Sequence, residues 1–178
     1  ERVEGFTSML WVLLCSGLFR LFDAVEAPLV LLNVFFGSAV LAMCLRRLAK
    51  PGLFLLLAAA SPAWFAWSQV TLMESGLWCL LLSVLILAVV EHRRGAVAAI
   101  LPFLVLTRPE SMLWCLWAIL ILGVGVAVKD GWRKALGTVA WPVAAFGTTL
   151  GGLIVFRMGY FGHPVPNTYY AKVSTNLL

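Results

Sequence analysis

The sequence predicts an all-α, polytopic membrane protein with about six transmembrane helices and one interfacial helix. Three observations lead there. Hydrophobic residues fill 62% of 178 positions and charged residues only 12%, with a mean hydropathy of +0.99. A soluble domain of this length could not hide so much apolar surface, whereas lipid can stand in for the missing core. The apolar residues also fall into stretches close to the length that a membrane helix needs. Finally, eight of the thirteen basic residues cluster in three short loops: Arg46, Arg47 and Lys50, then Arg93 and Arg94, then Lys129, Arg133 and Lys134. With Glu91 and Asp130 these loops carry a net +6, against −1 for the rest of the chain. They recur after every second apolar stretch, so the positive-inside rule puts them in the cytoplasm. Basic residues that flank spans do not build one face, and no nucleic-acid partner is expected.

The elements follow from that frame. Residues 7–22 read as a helix in the outer interface, its apolar face in lipid. A crossing there would move every later loop to the other side and put the basic loops outside, which is the alternative reading. Residues 28–45 run toward the cytoplasm, 53–67 return, 77–90 go in, 96–107 come out, 112–128 go in and 136–156 come out. The chain thus reads as a single incomplete transmembrane domain. Residues 1–27 form an outer loop with the interfacial helix, 28–157 the bundle, and 158–178 the start of another outer loop. A chain that opens on Glu1 and stops soon after a polar run is expected to be a piece of a longer one, and no leader pattern is visible.

Two outward-going helices look short. Residues 96–107 would rise about 18 Å against a hydrocarbon core of about 30 Å. Pro109 then disfavours helix and pushes Arg108 toward extended geometry. Charged, irregular backbone at that depth needs protein or a wet cavity around it. Ser61-Pro62 interrupts the helix from Leu53 in the same way. Both breaks fall on the outer side and predict a polar pocket opening outward.

The candidate chemistry gathers at these breaks. Arg108 presents a planar fork of donors suited to a lipid phosphate, with Glu110 orienting it or meeting a hydroxyl. Alternatively the two pair with each other, or Arg108 snorkels to the headgroups. Glu74 is the only ionisable residue between Lys50 and Glu91. It reads either as a cap on the following helix or as a ligand for a sugar hydroxyl or a divalent cation. Asn167, Tyr169, Tyr170 and Lys172 pair polar donors with aromatic faces, which suits sugars and phosphates; an aromatic girdle with a snorkelling lysine is the other reading. Trp11, Trp64, Trp67, Trp78 and Trp114 read as an aromatic belt. His92 reads as solvated beside Arg93, and His163 as a loop histidine. Cys15, Cys44, Cys79 and Cys115 stand singly in apolar stretches, without the spacing of a disulfide or metal framework. No metal centre is assigned, though a divalent cation is compatible with the acids. No phosphate-cradling glycine loop, dinucleotide fingerprint or nucleophile elbow is present.

Four stretches also stand out together: ERVEGFTSMLW at 1–11, MESGL at 73–77, TRPE at 107–110 and PNTYYAK at 166–172. Their order and outer placement resemble bacterial GT-C glycosyltransferases that use polyprenyl-phosphate sugars, and most of all the terminal β-(1→2) arabinofuranosyltransferases. The resemblance implies an inverting membrane transferase in the bacterial inner membrane. It would move a sugar, arabinofuranose in the nearest family, from a polyprenyl-phosphate donor to a glycan or lipid acceptor outside the cytoplasm. It also implies a base, an Asp, upstream of Glu1, so no catalytic residue is assigned here and residues 1–178 alone are expected to be inactive. Arg108 and Lys172 would meet the donor phosphate. Glu4, Glu74, Glu110, Asn167, Tyr169 and Tyr170 would position sugar or acceptor. Where relatives often read GLET, this chain has Met73-Glu74-Ser75, which keeps the carboxylate and changes its neighbours. A transporter or lipid-sugar flippase is the alternative; such proteins often carry paired repeats and midplane polar groups, and neither is evident in this sequence.

The topology has a direct check. In a cysteine-free background, Arg46→Cys, Arg93→Cys and Arg133→Cys should resist an impermeant maleimide in intact cells. Labelling from outside at any of the three would invert the orientation.

Overall fold

The computed structural model describes residues 8–47, 50–53, 60 and 72–164. The helices whose full bounds fall among the described residues are α1 (Met9–Phe19), α2 (Glu26–Arg47), α3 (Ser75–Val90), α4 (Arg94–Thr107), α5 (Ser111–Asp130) and α6 (Trp132–Phe161). Among the described residues there is no strand. Among the described residues three helices, α2, α5 and α6, are long and apolar enough to cross a membrane. Only 11% of the apolar window of α6 is buried within the protein, and Trp141 and Val155 on it stand 71% exposed. Surface of that kind calls for lipid or another apolar cover.

The remaining helices are shorter. With 11, 16 and 14 residues, α1, α3 and α4 rise about 17, 24 and 21 Å, less than the roughly 30 Å core. Helix α1 carries no charged residue and hardly separates polar from apolar faces, unlike the strongly amphipathic helices that usually lie in an interface. The expected crossing at 53–67 lies, apart from Leu53 and Ala60, outside the described residues.

The chain divides into two compact units, residues 11–83 and residues 1–10 with 84–178. In the second unit, α4, α5 and α6 pack on one another. Helix α4 buries Val97, Leu101, Leu104 and Val105, a 4-3-1 spacing that puts all four on one face. Helix α5 buries Cys115, Ala118 and Leu122, again one stripe. In lipid no water is expelled when two apolar helices meet, so close fit and small residues such as Ala118 and Ala135 carry the association.

Short connections make neighbouring helices antiparallel. Helix α3 closes with Arg93 N–H donating to the Ala88 carbonyl and His92 N–H to that of Val89. This is the Schellman pattern, with His92 at φ 53 in the place usually given to glycine. Three residues join α4 to α5. Gly131 alone joins α5 to α6, at φ 89 and ψ 163.

Helix α6 is longer than the sequence predicts, at 30 residues instead of the 21 of residues 136–156. Nothing after Phe156 breaks a helix until Gly162, whose N–H donates to the carbonyls of Arg157 and Met158. Residues 158–161, expected to begin an outer loop, are therefore helical. Phe156, Tyr160 and Phe161 form a ring cluster there, with centroids 4.8 to 6.1 Å apart.

The Gly131 link supplies a test. A side chain at that φ and ψ is strained by about 1–3 kcal/mol. Gly131→Ala should lower the thermal midpoint measured in detergent, and an unchanged midpoint would show that the link relaxes.

Candidate functional site

The site is best built from the turn that precedes α3. Helix α1 brings Trp11 to it, and helix α2 brings Asn33. The Trp11 indole N–H donates to the Leu72 carbonyl at 3.1 Å. The Asn33 side-chain amide donates to the Met73 carbonyl, also at 3.1 Å. Both side chains are buried, Asn33 completely. Two successive carbonyls outside any helix thus receive donors from two different helices, which fixes the backbone where Glu74 begins α3. The Glu74 carbonyl accepts the first helical bond, from Trp78 N–H at 2.9 Å. Gly76 completes the contact. A Cβ there would lie 2.7 Å from Asn33 Oδ1 and 3.3 Å from the Asn33 carbonyl oxygen, so α2 and α3 meet at a distance only glycine allows.

Glu74 is 6% exposed. Its carboxylate belongs to the residue at the positive end of a 16-residue helix. The cap position is observed. A carboxylate placed there is also chemically able to accept bonds from a sugar hydroxyl or to bind a cation.

The second break is the α4–α5 turn. Thr107 is buried and donates through Oγ1 to the Phe103 carbonyl at 2.6 Å. Arg108 is extended at φ −151 and ψ 142, as a residue before proline should be. Its N–H donates to the Leu104 carbonyl, and its own carbonyl accepts from Ser111 N–H at 3.1 Å. Helix α4 therefore ends at Thr107, where the sequence predicts. Arg108 is half-buried and Glu110 exposed. Glu74 belongs to the unit of residues 11–83, and Arg108 and Glu110 to the other.

Glu4, Asn167, Tyr169, Tyr170 and Lys172 lie outside the described residues, as do Trp64, Trp67 and the Ser61-Pro62 break. His163 is exposed just past α6. Trp11 needs correction: an aromatic belt residue would face lipid headgroups, whereas Trp11 is 6% exposed and spends its N–H on a turn. Trp114 is 49% exposed and suits a belt. The four cysteines are free thiols. Among the described residues, no three of His, Cys, Asp and Glu come together to hold a metal ion.

Two buried polar residues fall outside the candidate site that the sequence predicts. Asn33 had a signal, as the one amide in the apolar run of α2. Arg157 follows the last predicted crossing, 136–156, as the final residue of the bundle; it is 5% exposed on α6, four residues before the helix ends. A buried cation on an apolar helix is costly enough to point to a role. No family model, no curated protein and no solved structure matches this chain.

The clamp on the Leu72–Met73 turn is measurable. Trp11→Phe and Asn33→Ala each remove the donor to a carbonyl, at about 1–3 kcal/mol where the carbonyl stays buried. Because both pin one turn, the double variant should lose less than the two singles together. Strict additivity in thermal unfolding would show that the two bonds act independently.

Proposed function

We propose that the chain is part of a membrane glycosyltransferase. It transfers a sugar from a polyprenyl-phosphate donor to a glycan or lipid acceptor on the outer side of the bacterial inner membrane, with inversion. The observation that carries this reading is Glu74: a buried carboxylate in a largely apolar helical chain, held at a helix start by side chains from two other helices. Burying an ionisable group costs stability, and a clamped turn beneath it is the arrangement expected of a positioned ligand. The sequence motifs support the same class, since MESGL and TRPE sit at the two breaks described above.

In this mechanism a base removes the proton from an acceptor hydroxyl, whose oxygen attacks the anomeric carbon while the polyprenyl phosphate leaves with the bonding pair. The leaving phosphate needs fixed cations. Arg108 and Lys172 fill that role, and the burial of Arg157 adds it to the candidates. Glu74 holds a sugar or acceptor hydroxyl, and the resemblance makes Glu4, Glu110, Asn167, Tyr169 and Tyr170 further substrate contacts. Arabinofuranose is the sugar that the motifs favour. The reading requires no resident cofactor and accommodates a divalent cation.

The test uses the full-length protein in proteoliposomes with radiolabelled polyprenyl-phosphate sugars. Glu74→Gln and Arg108→Ala should each reduce transfer at least 100-fold while membrane insertion is retained. Normal transfer by both variants would remove these residues from the site. Movement of the lipid-linked sugar across the bilayer without transfer would identify a flippase instead.

A further inference from the structure

At the end of the bundle opposite Thr107, the α3–α4 turn faces the α5–α6 link. An open cleft of about 500 Å³ lies there, lined among others by His92, Arg94, Asp130, Lys134 and Thr138. The His92 ring reaches across to α5, where its Cε1 lies 3.4 Å from the position of a Cβ on Gly125. The two connections and the helix ends beside them hold five cations, Arg93, Arg94, Lys129, Arg133 and Lys134, against Glu91 and Asp130. Both carboxylates are already engaged. Glu91 meets Arg93 at 3.5 Å and Asp130 meets Lys134 at 3.1 Å. Arg93, Asp130 and Lys134 are exposed and Glu91 is half-buried, and surface pairs of this kind hold their partners weakly.

The charge is also placed against the helix dipoles. Arg94 opens α4, and Arg133 and Lys134 lie in the first turn of α6. Neither helix has an acidic residue in its first turn or a side-chain cap. Cations at the positive end of a helix are unfavourable, and a bound anion would offset both terms. The flanks of the cleft say which anion. Val126 on α5 and Gly137 on α6 are the apolar lining of the cleft, and both helices continue from it apolar and long enough to cross a membrane. A headgroup in the cleft would have its acyl chains along bare apolar helix, as basic pockets between membrane helices hold anionic lipids.

We propose that this cleft is a binding site for the phosphate headgroup of an anionic glycerophospholipid, with Arg94 and Lys134 as the principal contacts and Thr138 as a hydroxyl donor. It is separate from the glycosyl-transfer reading and does not depend on it.

The test is native mass spectrometry of the purified full chain in neutral detergent, titrated with dioleoyl phosphatidylglycerol or dioleoyl phosphatidylcholine. The wild type should retain the anionic lipid at least tenfold more tightly than the zwitterionic one. Arg94→Gln with Lys134→Gln should remove most of that preference, while Arg46→Gln with Arg47→Gln, equal in charge on α2, should keep it. Undiminished preference in the cleft variant, or an equal loss in the α2 variant, overturns the site. Glycerol 3-phosphate that binds as tightly as the lipid would overturn the lipid assignment in favour of a free phosphate ester. Circular dichroism checks the fold, and the single variants replace the double if its helicity falls.

Discussion

In an apolar chain every departure from helix exposes backbone groups that lipid cannot satisfy, and this constraint organises the structure. Where helix is absent, specific donors and acceptors take its place. Trp11 and Asn33 serve the carbonyls of Leu72 and Met73. A Schellman closure ends α3 at His92, and Gly162 ends α6 by donating twice. At the α4–α5 turn the backbone serves itself, with Ser111, Met112 and Leu113 donating to Arg108, Pro109 and Glu110. Polar side chains are few here, and several of them are placed where the backbone needs them.

The same economy concentrates chemistry at the breaks. Glu74 and Arg108 are both next to helix termini, because that is where the local backbone leaves room for a charged group and where dipoles and spare peptide groups can balance it. The clamp beneath Glu74 has a cost of its own, since Asn33 is buried completely and Gly76 must stay small. A site that needs its carboxylate in one place accounts for both. At the other end of the bundle, cations crowd helix starts that would favour carboxylates. That arrangement fits an environment of anionic headgroups better than it fits helix stability.

Much of this was legible in the sequence. Hydropathy and basic loops located α2, α5 and α6, and Pro109 located the end of α4. Helix α3 begins at Ser75, two residues before the predicted crossing at 77–90, and ends at Val90 as predicted. Of the nine extra residues of α6, 132–135 lie among the charges of the basic loop and 157–161 hold Arg157 and Gly159, which resemble the start of a loop. A buried arginine is tolerated only with a suitable environment, and hydropathy cannot report one. Trp11 differs from its expected belt position for a similar reason: an interfacial tryptophan and a clamping one have the same local sequence.

By itself, then, the sequence determined that the chain is helical, that its apolar spans need a non-aqueous surround, and where most of the breaks fall. These follow from composition, period and proline, which act over a few residues. Only the tertiary structure decided that Trp11 and Asn33 reach the turn before Glu74, 61 and 40 residues away in sequence. It also decided that Arg157 is buried and that His92 and Lys134 share a cleft. Such pairings depend on how helices pack side by side, and no local pattern encodes which face of one meets which face of another.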